Sequence, residues 1–296
     1  MIFSTDSRAI AYMLALTLVA LNSSNAYASE ADSHPQVKEL LDVGFLRLED
    51  TPTLTLIRIG EDFEAKRVVL FIEGDGAAWR DHGFKPPDDP TPKNSLSLRL
   101  ALNSRYQSNL SLIYVARPCQ FKSQEALAQC SPKQWSTERY NDTQTSIVET
   151  SISLALKNVL ATAGHISDLQ IIGHSGGGVL GVKIAVKRMR KNQIFSKLYV
   201  IASPIDPETW LKNHRLNYLP IDNYYQDLAL LGEDELLDVY LGESDRIVRP
   251  IDINTDLVWL RKKSILVPKA KHISGWSDYW DNTLLPKIKA RNFLTE

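Results

Sequence analysis

The chain has 296 residues, with 34 Lys and Arg against 35 Asp and Glu and a formal charge of −1. So even a balance argues against a nucleic-acid partner, because neutralising a phosphate backbone takes a concentrated basic face. The densest basic run, Lys187, Arg188, Arg190 and Lys191, falls where a helix is predicted to end, and cations there complement the helix dipole.

In chain order, the first feature is an apolar run from Ala9 to Leu21, preceded by Arg8 and followed by Ala26-Tyr27-Ala28. The run is too short to span a bilayer, and small residues at the cleavage positions complete the layout of a secretory signal peptide, cut after Ala28. The alternative is a retained N-terminal anchor. No cysteine follows the run, which disfavours a lipid-anchored form. Residues 1–28 are thus expected to be a leader, and 29–296 a single domain that is exported, periplasmic or secreted, without stable membrane insertion once the leader is gone. Oligomeric state is left open. In an oxidising compartment the two cysteines, Cys119 and Cys130, are predicted to pair, closing a loop worth about 2–3 kcal/mol on the chain-entropy account. Two thiols without close Cys or His companions do not make a zinc site, and no metal is expected.

Beyond the leader, short β-branched runs alternate with longer segments of helical period, the pattern of a mostly parallel sheet covered on both faces: fold class α/β. Strands are predicted at 44–48, 54–59, 68–73, 110–116, 169–173, 198–202, 238–241 and 264–267. Helices are predicted at 95–106, 145–163, 176–190, 251–262 and 277–289. The segment 206–237, with Trp210, Tyr218, Leu219, Tyr224 and Tyr225, reads as a small amphipathic cap, with ordinary packing onto the sheet as the alternative. In open α/β sheets ligands sit beyond the carboxyl ends of the strands, so chemistry is sought just after each run.

The fifth strand ends in Gly173-His174-Ser175-Gly176-Gly177-Gly178, directly before a helix. This is a G-x-S-x-G elbow, which exposes Ser175 Oγ on a sharp turn and aims the Gly176 N–H at any oxyanion formed there. A serine needs a base. Among the six histidines, His34 lies in a segment expected to be loose, His165 precedes its strand, and His174 adjoins the nucleophile. His272, after the last strand, is preferred, with His214 and His82 in reserve. The acid should fall between Ser175 and His272: Asp245 is preferred, because its strand neighbours the last one, and Asp206 is the alternative. The other oxyanion donor should follow the third strand, in Glu73-Gly74-Asp75-Gly76, with the Asp75 N–H first and that of Gly76 second. Two acids there would repel anionic substrates unless offset, and Arg117 is placed to pair with Glu73 or Asp75. No cofactor is indicated, since the glycine run lacks the endings of phosphate-binding and dinucleotide loops.

In their order, G-H-S-G-G-G, G-E-S-D-R-I-V and H-I-S-G-W resemble the α/β-hydrolase superfamily over essentially all of 29–296. Within it, FIEGDGAAW, YVARPCQF, Cys130, Trp135 and Arg139-Tyr140 are similar to a group of exported proteobacterial α/β-hydrolases of poorly defined activity. The resemblance implies the α/β-hydrolase fold, a Ser175, Asp245 and His272 triad and the Cys119–Cys130 bond. The chain departs from the superfamily pattern at Glu73-Gly74, where many esterases have His-Gly. The expected activity is hydrolysis of an ester-type bond in a small-molecule substrate with a small or medium acyl group. The alternatives are a thioesterase or acyltransferase, or a retired hydrolase serving as a binding module.

Overall fold

The computed structural model describes residues 30–61, 67–77, 85–216 and 221–290. The predicted leader, the reserve base His82, and Trp79, Tyr218 and Leu219 lie outside the described residues.

One eight-stranded sheet organises the molecule: β1 (Leu46–Arg47), β2 (Thr55–Arg58), β3 (Arg67–Ile72), β4 (Leu110–Val115), β5 (Asp168–His174), β6 (Lys197–Ile201), β7 (Leu237–Gly242) and β8 (Ser264–Val267). Their spatial order is β1-β2-β4-β3-β5-β6-β7-β8. β2 is antiparallel to both its neighbours, and every other pairing is parallel. From β3 the chain steps to one side to make β4, then crosses back to make β5 on the other. Loops leaving β3 and β5 therefore diverge and leave a crevice at the strands' carboxyl ends.

The α-helices of six residues or more, among the described residues, are α1 (Pro35–Asp42), α2 (Leu96–Asn103), α3 (Asp142–Ala163), α4 (Gly176–Arg190), α5 (Pro207–Asn213), α6 (Tyr224–Glu233), α7 (Val258–Lys263) and α8 (Leu285–Ala290). Successive strand residues point to opposite faces, so each strand feeds two cores. Val68, Leu70, Ile72, Leu169 and Ile171 pack with apolar residues of α3, α4 and α6. Val69, Phe71, Leu112, Tyr114 and Ile172 pack with α1, α2 and α8. This explains the continuous apolar runs: a parallel sheet covered on both sides has no polar face.

All eight strands occur where predicted, but two other expectations change. The single helix predicted over 251–262 is a 3-10 turn, Pro250–Asp252, followed by the short α7. Side chains there compete with the helix: Asp252 accepts from the Arg249 N–H at 2.8 Å and Asn254 from the Asp256 N–H at 3.0 Å. The segment around His34 is not loose. Val37 and Leu40 of α1 are buried, His34 Nε2 is bonded to the Pro92 carbonyl at 3.0 Å, and the Gln36 amide grips both backbone groups of Ser95. In 206–237, Trp210, Leu211, Tyr224, Leu228 and Leu231 are buried in the core beside α4. The basic run ends α4 as expected, with Arg188 on Glu149 at 2.9 Å and Arg190 on Asp227 at 2.7 Å. Among the described residues no helix is long and apolar enough to cross a membrane, and no cluster of His, Cys, Asp or Glu could hold a metal.

Candidate active site

β5 runs straight into α4, and Ser175 is the residue between them, at φ 51° and ψ −129°. A left-handed φ on a non-glycine residue costs on the order of 1–3 kcal/mol and persists only where its surroundings enforce it. Here the enforcement is close packing. A Cβ on Gly177 would meet the Ile72 carbonyl oxygen at 2.4 Å, and one on Gly176 would meet Asp75 Oδ1 at 2.0 Å. Behind the turn, the Ser175 N–H donates to the Ile201 carbonyl at 3.0 Å, locking the elbow to β6.

The structure brings Ser175, His272 and Asp245 together. His272 Nε2 lies 3.1 Å from Ser175 Oγ, and His272 Nδ1 lies 3.0 Å from Asp245 Oδ2. The buried carboxylate makes Nδ1 the protonated nitrogen, so Nε2 has a free lone pair for the serine hydroxyl. Burial lowers the His272 pKa below its usual value, and Asp245 only partly offsets this, so the ring is neutral at neutral pH. The other Asp245 oxygen, Oδ1, accepts from the backbone N–H groups of Ile247 at 2.8 Å and Val248 at 3.0 Å, which orient the carboxylate.

Asp206 is not part of this arrangement. Its Oδ1 accepts from the Thr209 N–H at 3.2 Å and the Tyr225 hydroxyl at 2.7 Å, and its Oδ2 accepts from the Asn254 N–H at 2.8 Å. It caps α5. His214 is also elsewhere, near Asp252 at 3.4 Å and stacked by Trp210. His174, set aside as a candidate base, holds the loop that carries His272: its Nε2 bonds the His272 carbonyl at 3.1 Å. Its position next to the nucleophile gave no sign of that role, which depends on a loop almost a hundred residues away folding back onto it.

The acidic loop after β3 is neutralised from below. Asp75 is paired with Arg117 Nη1 at 2.6 Å and Arg139 Nε at 2.9 Å, and accepts from the Tyr140 hydroxyl at 2.6 Å. Burial pushes its pKa up, but the two guanidinium charges and the tyrosine bond outweigh this and hold it below the ordinary range. Arg117 thus pairs with Asp75 and not with Glu73. The Glu73 carboxylate accepts from Ser95, Tyr114 and the Gly74 N–H. Burial raises the Glu73 pKa, but His174 and the two hydroxyls outweigh it and hold it low. Neither acid faces the opening as a free charge. Cys119 and Cys130 are bonded, as predicted, and pack with Leu127 and Trp135.

Ser175 and His272 line a cavity of about 300 Å³ with Gly74, Gly76, Ala77, Pro92, Ile247 and Ile273. A neighbouring groove of about 700 Å³ shares Ile247, His272 and Ile273 and adds Arg246 and Lys271. No described residue of 206–237 lines either space.

The sheet order, the antiparallel β2 and the serine elbow between β5 and α4 define the architecture. It is the α/β-hydrolase fold. No protein-family model and no curated protein matches this sequence. Among solved structures the chain is similar to an α/β serine hydrolase homologue from Coxiella burnetii, at 12% identity and TM-score 0.47, covering 84% of this chain and 97% of that one. It is also similar to an arylesterase, at 14% identity and TM-score 0.48, covering 94% and 97%. A third is a membrane phospholipase A described as a novel bacterial virulence factor, at 14% identity and TM-score 0.47, covering 96% and 100%.

Proposed function

We propose that this protein is a serine hydrolase that cleaves an ester-type bond of a small or medium acyl substrate through an acyl-enzyme, and that it works after export, with residues 1–28 removed. The observation that carries this reading is the continuous relay from Asp245 through His272 to Ser175, at 3.0 and 3.1 Å, opening on a cavity.

Ser175 Oγ attacks the acyl carbon as His272 Nε2 takes its proton. The carbonyl π pair moves onto oxygen, and the N–H groups of Gly176 and Asp75 receive that charge. Gly176 opens α4, so its N–H is one of the donors a helix start leaves unpaired. The intermediate collapses, His272 passes the proton to the departing alcohol, and the acyl group stays on Ser175. Water then attacks with His272 again as base, releasing the acid and restoring the serine. Asp245 keeps the proton on Nδ1 and stabilises the imidazolium without being protonated itself. Ile247 and Ile273 give the cavity an apolar wall against which an acyl chain can lie.

Labelling the purified mature protein with a fluorophosphonate tests this without assuming a substrate. Rapid adduct formation mapped to Ser175, and absent from Ser175→Ala, is expected. A folded protein that takes no adduct would return the fold to the role of a binding module.

A further inference from the structure

We infer that Gln120 is a positioning residue that aims the Asp75 N–H at the oxyanion. The inference rests on the hydrolase reading above and deepens it.

Gln120 is fully enclosed, at 1% exposure, and both ends of its amide are used. Oε1 accepts from the Arg117 N–H at 3.0 Å, and Nε2 donates to the Gly74 carbonyl at 3.0 Å, with a longer contact to the Pro90 carbonyl at 3.4 Å. This orientation is forced. A backbone N–H can only donate and a carbonyl can only accept, so a flipped amide would lose every one of these bonds.

Gly74 and Asp75 share one peptide unit, and among the described residues there is no cis bond. In a planar trans peptide the C=O and N–H point in opposite directions. Turning the Gly74 carbonyl toward Gln120 therefore turns the Asp75 N–H away from Gln120. Gly74 abuts the nucleophile: a Cβ there would lie 3.0 Å from Ser175 Cβ. The Asp75 carboxylate lies against Gly176, the other donor. Among the described residues nothing accepts from the Asp75 N–H. Gly76 is held against Gln120 as well: a Cβ there would meet the Pro90 oxygen at 2.1 Å and Gln120 Nε2 at 2.8 Å.

Gln120 is itself held rigidly. Its neighbours Cys119 and Phe121 both have left-handed backbones, at φ 69° and 58°. Cys119 is tied to Cys130, and the Phe121 N–H donates to Thr91 Oγ1 at 2.7 Å. The peptide is thus braced twice, through its carbonyl by Gln120 and through the Asp75 side chain by Arg117, Arg139 and Tyr140. This gives the Arg117-Pro118-Cys119-Gln120 run a purpose that neither its charge nor its cysteine alone explains.

The test compares wild type with Gln120→Glu and Gln120→Met. Glutamate keeps the acceptor for the Arg117 N–H but cannot donate to the Gly74 carbonyl; methionine keeps the bulk and neither bond. For each, kcat and KM are measured on an aryl ester, together with the inhibition constant of an arylboronic acid whose tetrahedral adduct carries the oxyanion. Loss of a well-aimed oxyanion donor costs about 100- to 1,000-fold in kcat, and misaiming one should cost about 10- to 100-fold, with KM within about twofold. The ratio of boronate inhibition constant to KM should rise by a similar factor. That ratio is a property of folded molecules alone, so a variant that merely folds poorly leaves it unchanged, and an unchanged ratio in both variants overturns the inference. If wild type neither turns over the ester nor binds boronate at Ser175, the hydrolase reading and this inference fall together. If wild type does both and the variants match it, only the inference falls.

Discussion

Asp206 and Asp245, the alternative and the preferred acid, each lie just beyond the carboxyl end of a strand, between Ser175 and His272 in the chain, and each is buried, at 2% and 4% exposure. Each accepts three hydrogen bonds. At Asp206 all three come from its own structural surroundings: the start of α5, the Asn254 backbone and a hydroxyl of α6. At Asp245 two backbone donors hold one oxygen and leave the other for His272. Position after a strand is thus not enough to distinguish an acid that faces His272 from a helix cap. What separates them is which donors the following turn spends, and whether one oxygen is left facing the neighbouring loop.

The comparison breaks first, and most visibly, on turnover. Asp245→Asn should lower kcat by about 10⁴-fold by favouring the wrong imidazole tautomer, while Asp206→Asn changes it by less than about threefold. Steady-state kinetics on one aryl ester decides, and loss in the second variant alone would exchange the roles. A third aspartate, the half-buried Asp75, extends the contrast to stability. Arg117→Ala leaves the carboxylate with Arg139 and Tyr140 alone and should cost about 1.5–3 kcal/mol in chemical denaturation, the value of a hydrogen bond to a charged group. Asp206→Asn should cost about 1–2 kcal/mol, the value of a cap and its bonds, and lower the melting temperature without altering fluorophosphonate labelling.

The smallest effect sharpens the comparison through pH. His272 must be neutral to accept the serine proton, and burial lowers its pKa. Activity therefore rises with pH through that lowered value and reaches its plateau below the range of an ordinary imidazole. Asp245 favours the protonated ring, so Asp245→Asn should move the acid limb of kcat/KM to still lower pH. Asp206→Asn should leave that limb in place.

Much of this was legible beforehand. Eight strands, the Gly176–Arg190 helix, the elbow and the positions of His272 and the two candidate aspartates all follow from local patterns: continuous apolar runs, glycines around a serine, and polar residues just past strand ends. Where reading failed, side chains outbid backbone pattern. Asp252 and Asn254 broke a helix of the right period by bonding nearby N–H groups. His34 and Gln36 fastened a segment that composition alone suggested would be loose, using partners some sixty residues away.

Taken alone, the sequence determined the fold class and the kinds of residue at the site, because hydrophobic period and turn chemistry act over a few residues and can be read in place. Tertiary structure decided which aspartate faces His272, that His174 holds the loop that carries His272, and that Gln120 grips Gly74. Those are hydrogen bonds between segments far apart in the chain. Their geometry depends on how loops from different strands meet at one edge of the sheet, and no local pattern carries that information.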